Sequence, residues 1–421
     1  MNKLFPRSYG FWVLIFLVAA CVSPLGTSES QPTSSDQVET IVASTLQAMA
    51  PESTDVPANG PEASTPLLPL SLYFLGISDQ ADMQIFRMER DGKTQTQLTF
   101  EPAPVDQYDV SAMDGSIAYV VNNQLVLSNA DGSTRQVLVD GGSPEANNPR
   151  VTSPVFSPDG KTLAYGHNGL NLYDLATRTS SLVIADQRSE MGLPIETYSP
   201  VRYSPDGTKL LLALGHWEVA PSHAAYHPGT NTLVKYVEVG DYIYCCSFHG
   251  GPVWSPDSAS FYGVASVHDT GYQMGELWRI DAGTGALTRM LPTDLFHTGT
   301  DMFNTGIGTA YLPKEIYLAP DGHLYFFFGM FQTNSGYWEP PILNMVRSSP
   351  DGVTDRNVLR DENFRLLNEA LWAPDASFVI TATWPGANWN REGGVLELYP
   401  TDGQKAPVWL APFGQQMKWG P

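Results

Sequence analysis

Six of the eight histidines, His216, His223, His227, His249, His268 and His297, fall between positions 216 and 297. Neutral imidazole ligates zinc-like divalent ions, so His216, His249, His268 and His297 could share one ion if their connections converge. No H-E-x-x-H or other fixed spacing ties any two of them to one surface. Interspersed with them are Trp217, Phe248, His249, Tyr272, Tyr337, Trp338, Trp384 and Trp389, large stiff side chains suited to contact with a glycan, a peptide or a protein surface. Nucleophilic hydrolysis lacks its signature, since no G-x-S-x-G elbow occurs. Three carboxylates, Glu196, Glu315 and Glu369, stand at or just before predicted strands, where they could face a channel; a solvated rim also tolerates them without catalysis.

The elements that must position these groups repeat. VFSPDG at 155–160, RYSPDG at 202–207 and VWSPDS at 253–258 have variants LAPDG at 318–322 and LWAPDA at 371–376, with a degenerate VSAMDG from Val110. In each, an apolar or aromatic strand ends in a turn where Pro fixes φ and Gly accepts positive φ, and a second strand follows. The turn aspartates Asp114, Asp159, Asp206, Asp257, Asp321 and Asp375 recur at intervals of 45, 47, 51, 64 and 54 residues. Each unit also closes with a strand, a short turn and a final strand, as in ELWRIDAGTGALTRML. A four-stranded unit of this period predicts an all-β, seven-bladed β-propeller of antiparallel blades over residues 70–421.

Trp419-Gly420-Pro421 matches Trp372-Ala373-Pro374 one period earlier, while Leu72–Gly76, QIFRMERDGK and TQTQLTF supply a second, third and fourth strand. The ring is therefore expected to close by pairing N- and C-terminal strands, which hides the edges of an open ring. Trp254, Trp372 and Trp419 occupy one repeat position and read as core.

These repeats resemble the Ser-Pro-Asp-Gly repeats of TolB-like, WD-repeat-like propellers over roughly 350 residues. The resemblance implies a fold and leaves function open, because such propellers serve as partner-binding modules, substrate gates and, in some cases, enzymes. TolB carries an α/β domain ahead of its propeller, and a Ser/Thr/Pro-rich segment stands there in this chain, so the Tol-system role is not carried over. Some metal-dependent polysaccharide lyases, such as oligogalacturonate lyase, also resemble TolB-type propellers. That likeness supplies the alternative reading, a metal-dependent lyase-like enzyme using the four histidines.

Blade geometry puts the first-to-second and third-to-fourth turns on one face, and these are short. The extra length gathers on the other face, in His216–Ser222, His268–Gly275, Met330–Pro340 and Pro385–Gly394 between second and third strands, and in Asp186–Ser199, Gly240–Gly250 and Thr293–Pro313 between blades. Insertions on one face mark a binding face.

At the N-terminus, Lys3 and Arg7 precede an apolar run from Phe11 to Ala20, too short to span a bilayer, which reads as an export signal over 1–20. Val18-Ala19-Ala20-Cys21 resembles the lipobox of bacterial lipoproteins, which implies diacylation of Cys21. Residues 21–69 form a Ser/Thr/Pro-rich tether, with Val38, Ile41, Val42, Leu46 and Met49 at helical spacing in a short helix over 36–50. The formal charge of −21 repels phosphate backbones and excludes nucleic acid as a partner. Only Cys245 and Cys246 remain besides Cys21, so no conventional disulfide framework holds the core. Together these features predict a lipid-anchored, extracytoplasmic binding module for an envelope protein, peptide or glycan. It is read as using no cofactor, with a divalent metal only in the lyase-like alternative.

Overall fold

The computed structural model describes residues 66–143, 149–215, 222–236, 251–266, 275–291, 308–334, 337–338, 342–384 and 392–421. All belong to the second of two units, Thr65–Pro421; the signal, the tether and the expected helix lie outside the described residues.

The described residues are all-β. In chain order they form β1 (Ser71–Ile77), β2 (Met83–Met88) and β3 (Gln95–Gln97); β4 (Val105–Val110), β5 (Ile117–Val121), β6 (Gln124–Ser128) and β7 (Gln136–Asp140); β8 (Thr152–Phe156), β9 (Thr162–Gly166), β10 (Gly169–Asp174) and β11 (Thr179–Ala185). Next come β12 (Gln187–Arg188), β13 (Pro194–Tyr203), β14 (Leu210–Gly215), β15 (Ser222–His227) and β16 (Thr232–Lys235), then β17 (Val253–Trp254), β18 (Ser260–Ser266), β19 (Gly275–Asp281) and β20 (Leu287–Leu291). The last sheets hold β21 (Gly308–Leu318), β22 (Leu324–Asn334), β23 (Tyr337–Trp338), β24 (Ile342–Ser348) and β25 (Asn357–Val358), and β26 (Leu367–Trp372), β27 (Phe378–Thr383), β28 (Gly394–Pro400) and β29 (Val408–Gly420). Neighbouring strands pair antiparallel, mostly in fours. β29 is shared: its first half pairs with β28, Leu398 opposite Val408, and its second half with β1, Leu72 opposite Trp419.

The Ser-Pro-Asp-Gly turns explain the hairpins. In 157–162 the Ser157 hydroxyl donates to Asp159, the Asp159 carboxylate accepts from the Lys161 amide, and Gly160 at φ 67° returns its amide to the Ser157 carbonyl. The same bonds recur at Ser204–Asp206 and Ser255–Asp257, with Ser258 taking the positive-φ place of glycine. Such local pairing satisfies backbone groups that the reversal removes from the ladder.

Among the described residues, apolar side chains collect in seven clusters, each between two successive four-strand groups. One joins Val155 and Leu170 to Tyr203, Leu210 and Leu212; another joins Leu72 and Phe74 of β1 to Ile380 and Leu396 of β27 and β28. Full burial of each such side chain contributes about 1.5–3 kcal/mol, so contact between sheets carries the stability. Trp254 and Trp372 are buried here as expected, and Trp419 packs beside Phe378.

Three segments expected to be loops are partly strand. Gly308–Pro313 pairs with Phe328–Thr333 as an extension of the β21–β22 ladder, Tyr337–Trp338 pairs back onto Thr333–Asn334, and Gln187–Arg188 pairs with Pro194–Glu196. Ladder pairing satisfies the backbone of these insertions, an outcome that composition does not reveal.

A candidate site in the central cavity

A cavity of about 660 Å³ is lined by residues from strands of six different four-strand groups: Asp109, Arg202, Val253, Glu315, Glu369 and Lys418 among them. Asn368, Glu392 and Gly393 border it beside the 385–391 connection, and Trp372, Pro374 and Trp419 lie toward the Pro-Asp turns.

The first strands of five groups share an irregularity. Register shifts interrupt β4 between Val105 and Gln107, β8 between Thr152 and Val155, β13 between Pro200 and Arg202, β21 between Lys314 and Tyr317, and β26 between Leu367 and Glu369. Ser153, Glu315 and Gln416, each five positions before the turn proline, have φ of 50°, 52° and 53°. A bulge turns an extra residue out of the ladder and frees backbone amides. Here the freed amides find acceptors on the preceding four-strand group. The Glu369 carboxylate accepts from the amides of Gln416 and Met417, Gln107 from the Ser153 amide at 2.6 Å, and Asp109 from the Phe156 amide at 2.8 Å. Glu315 accepts from the Ala370 amide in the same way.

Indole groups bind across the same boundaries. Trp372 Nε1 donates to the Glu315 carbonyl at 2.8 Å, Trp419 Nε1 to the Trp372 carbonyl at 2.8 Å, and Trp254 Nε1 to the Arg202 carbonyl at 3.3 Å. These tryptophans are therefore core residues that also fix the cavity wall.

The charged groups are unevenly partnered. Lys418 Nζ is 2.6 Å from Asp109 Oδ1, and Lys314 donates to the Leu367 carbonyl. Burial and the neighbouring Glu315 push the Glu369 carboxyl up to about 7, against the pull of the Met417 and Gln416 amides and of Lys418. Burial also raises Glu315, opposed by Lys314 and the Ala370 amide. Two carboxyls coupled in this way bind and release protons as a pair, which suits them to hold a proton, a cation or a hydrogen-bond donor at neutral pH. Arg202 is exposed to the cavity, where the surrounding protein lowers its pKa by desolvation while Asp109 opposes the shift. No side-chain hydrogen-bond acceptor for its guanidinium occurs among the described residues.

The expected binding residues divide differently. Trp217, Phe248, His249, Tyr272 and Trp389, and with them His216, His268 and His297, lie outside the described residues. Tyr337 and Trp338 are placed by backbone alone, in β23. Trp384 is half-buried, edge-on to Phe413 with ring centroids 5.9 Å apart. Of the other histidines, His223 is buried, which lowers its pKa to about 4, and His227 Nε2 lies 2.9 Å from the Ala282 carbonyl. Among the described residues no group of three or more His, Cys, Asp or Glu is placed to hold a metal ion.

Glu315 and Glu369 do face the cavity. Glu196 does not line it: its carboxylate is held by Lys235 Nζ at 2.6 and 2.7 Å and accepts from the Tyr198 hydroxyl, because the chain before Tyr198 pairs with β12 and turns this side chain toward the outer strand β16. Arg202 and Lys418 went unnoticed in the sequence. Their signal was available, since both occupy the repeat position three before the turn proline, where Val110, Val155 and Val253 are apolar.

Radially related four-stranded antiparallel sheets around one cavity define a β-propeller. No family model matches the sequence, and no curated protein matches it. Among solved structures the chain is similar to a puromycin hydrolase mutant complexed with PGG, at 10% identity and a TM-score of 0.52, over 82% of this chain and 52% of that one. It spans about half the length of that enzyme. It is also similar to TolB from Acinetobacter baumannii, with 17% identity, a TM-score of 0.39 and coverage of 80% of this chain and 79% of that one. TolB from Agrobacterium tumefaciens matches at 16% identity and a TM-score of 0.41, over 75% and 98%. At such identities the likeness speaks to fold alone.

Proposed function

We propose that the chain is a seven-bladed, ring-closed propeller, exported and held outside the membrane by diacylated Cys21, that binds an envelope protein, peptide or glycan through its central cavity and the long-connection face around it. The observation that carries the binding role is the charged cavity itself. The carboxyl groups of Glu315 and Glu369 and the Arg202 guanidinium, which has no hydrogen-bond acceptor among the described residues, line one accessible space, where a ligand of matching charge would meet them. Sharing of β29 between β28 and β1, together with the seven apolar clusters that link each four-strand group to the next, supports ring closure. The lipobox-like Val18–Cys21 and the apolar run before it support the anchor.

A photo-cross-linking residue placed at Asn368, on the cavity, and in a second protein at Val358, on the exposed strand β25, tests the site in the full chain expressed in a bacterial envelope. The expected result is ligand adducts from position 368 and none from 358. Adducts from 358 alone would make the molecule a structural subunit that uses its edge. The Cys21→Ser variant should lose its membrane association.

A further inference from the structure

The cavity wall carries two unmet electrostatic demands. Arg202 presents a planar fork of donors with no acceptor among the described residues, whereas Lys418 on the same wall is engaged by Asp109, and the neighbouring Lys314 by the Leu367 carbonyl. The Arg202 guanidinium is accessible from the cavity, so its unpaired donors are open to a bound anion, for which guanidinium is a strong charge-assisted partner. Glu315 and Glu369 pose the opposite demand: two carboxylates on one wall repel each other, and the amides they accept do not remove that repulsion. The lining also includes the apolar side chains of Val253, Ile316, Leu371 and Met417.

We propose that Arg202 anchors the carboxylate of a small zwitterion whose ammonium group is received by Glu315 and Glu369, its apolar middle lying on the wall between them. A monocarboxylate fits better than a phosphate dianion, because Asp109, Glu315 and Glu369 line the same space and oppose a second negative charge. The bidentate geometry of guanidinium with carboxylate gives the anchor its direction. A volume of about 660 Å³ accommodates a ligand of drug-like size or smaller.

This inference rests on the reading of the cavity as the ligand site. Its test is calorimetric titration of the full-length protein with a series of unbranched ω-amino carboxylates of increasing length, and with hexanoate and hexylamine as single-charge controls. Affinity should peak at one chain length, and hexanoate should bind about tenfold more weakly than that optimum. Arg202→Gln should weaken the whole series about tenfold or more, and Glu369→Gln should weaken the amino carboxylates relative to hexanoate, which loses only a repulsive neighbour. Should Arg202→Gln not fold, Arg202→Lys, which keeps the charge and loses the fork, is expected to weaken the optimum member. The wild-type length series decides independently of either variant. No binding at any length, no optimum, or equal binding by the Arg202 variants would overturn the proposal. Adducts at position 368 without any response to the series would overturn the zwitterion alone; absence of those adducts would overturn the cavity reading itself.

Discussion

Lys418 and Asp109, 309 residues apart in sequence, meet at 2.6 Å, joining the last strand to β4 at the cavity wall. The second oxygen of Asp109 accepts from the Phe156 amide on β8, so one carboxylate binds strands of three different four-strand groups. Both side chains of the pair are less than one-third exposed, so removal of either partner leaves a charge in a poorly hydrated place.

Asp109→Asn should cost about 1–3 kcal/mol, since Asn keeps one acceptor and loses the charge. Lys418→Met should cost a similar amount, and the double variant less than the two together, with a coupling energy of about 1–2 kcal/mol. Urea unfolding of the four proteins measures this. Additive losses would mean that the two charges do not depend on each other.

Glu369 and His223 make opposite contributions to stability against pH. The Glu369 carboxyl, raised from 4.5 to about 7 in the folded protein, binds its proton more tightly when folded. Its stabilising contribution is thus complete at low pH and is lost as pH rises from about 4.5 to about 7. His223 is lowered by burial from 6.5 to about 4, so its contribution is present above 6.5 and is lost as pH falls toward 4. Glu315, Lys314, Lys418 and Asp109 line or border the same cavity and shift the Glu369 window without reversing its sign. In Glu369→Gln the falling contribution disappears, and stability should rise with pH from 4 to 6.5 more steeply than in the wild type. Unfolding free energies at half-unit intervals check this; parallel profiles for the two proteins would contradict it.

The hairpins were legible because their chemistry is local. Ser157, Asp159 and Gly160 make their turn from bonds within six residues, and the same types recur at 204–207 and 255–258. The pairing of Leu72 with Trp419 was legible for a related reason, as Trp419-Gly420-Pro421 repeats Trp372-Ala373-Pro374 one period later and Leu72–Gly76 reads as a second strand. The cavity was legible in part. Glu315 and Glu369 stood out as charges beside apolar strands, but Glu196 has the same appearance and faces Lys235 instead. What separates them is their place along the inner strand: Glu315 and Glu369 stand five residues before the turn proline, at the bulge, whereas Glu196 stands nine before it, where the chain pairs with β12.

The Trp372 indole is held by more than burial. It donates to the Glu315 carbonyl, and its ring lies within 5.6 to 6.5 Å of the Phe327, Tyr325 and Tyr317 rings. Trp372→Phe deletes the donor and part of the area, and should lower stability by about 2–3 kcal/mol, seen as a drop in melting temperature. Because the bond ends on the bulge that carries Glu315, the variant should also weaken binding of the best ω-amino carboxylate. A stability loss with unchanged affinity would assign Trp372 to the core alone.

Close approach of neighbouring sheets sets the last prediction. Gly285 sits at φ 73°, and a Cβ there would stand 1.9 Å from the Lys235 carbonyl oxygen on the adjacent sheet, a contact that only backbone movement relieves. Gly322, in the turn between β21 and β22, has φ 83° with nothing within 4 Å of such a Cβ. Gly322→Ala therefore measures backbone strain alone, about 1 kcal/mol. Gly285→Ala adds the separation of β16 from the β19–β20 turn, together about 3 kcal/mol. His227, whose ring bonds the Ala282 carbonyl across that boundary, would lose its partner as the sheets part. Denaturation of both variants compares the two costs, and equal losses would show that the sheets can separate there freely.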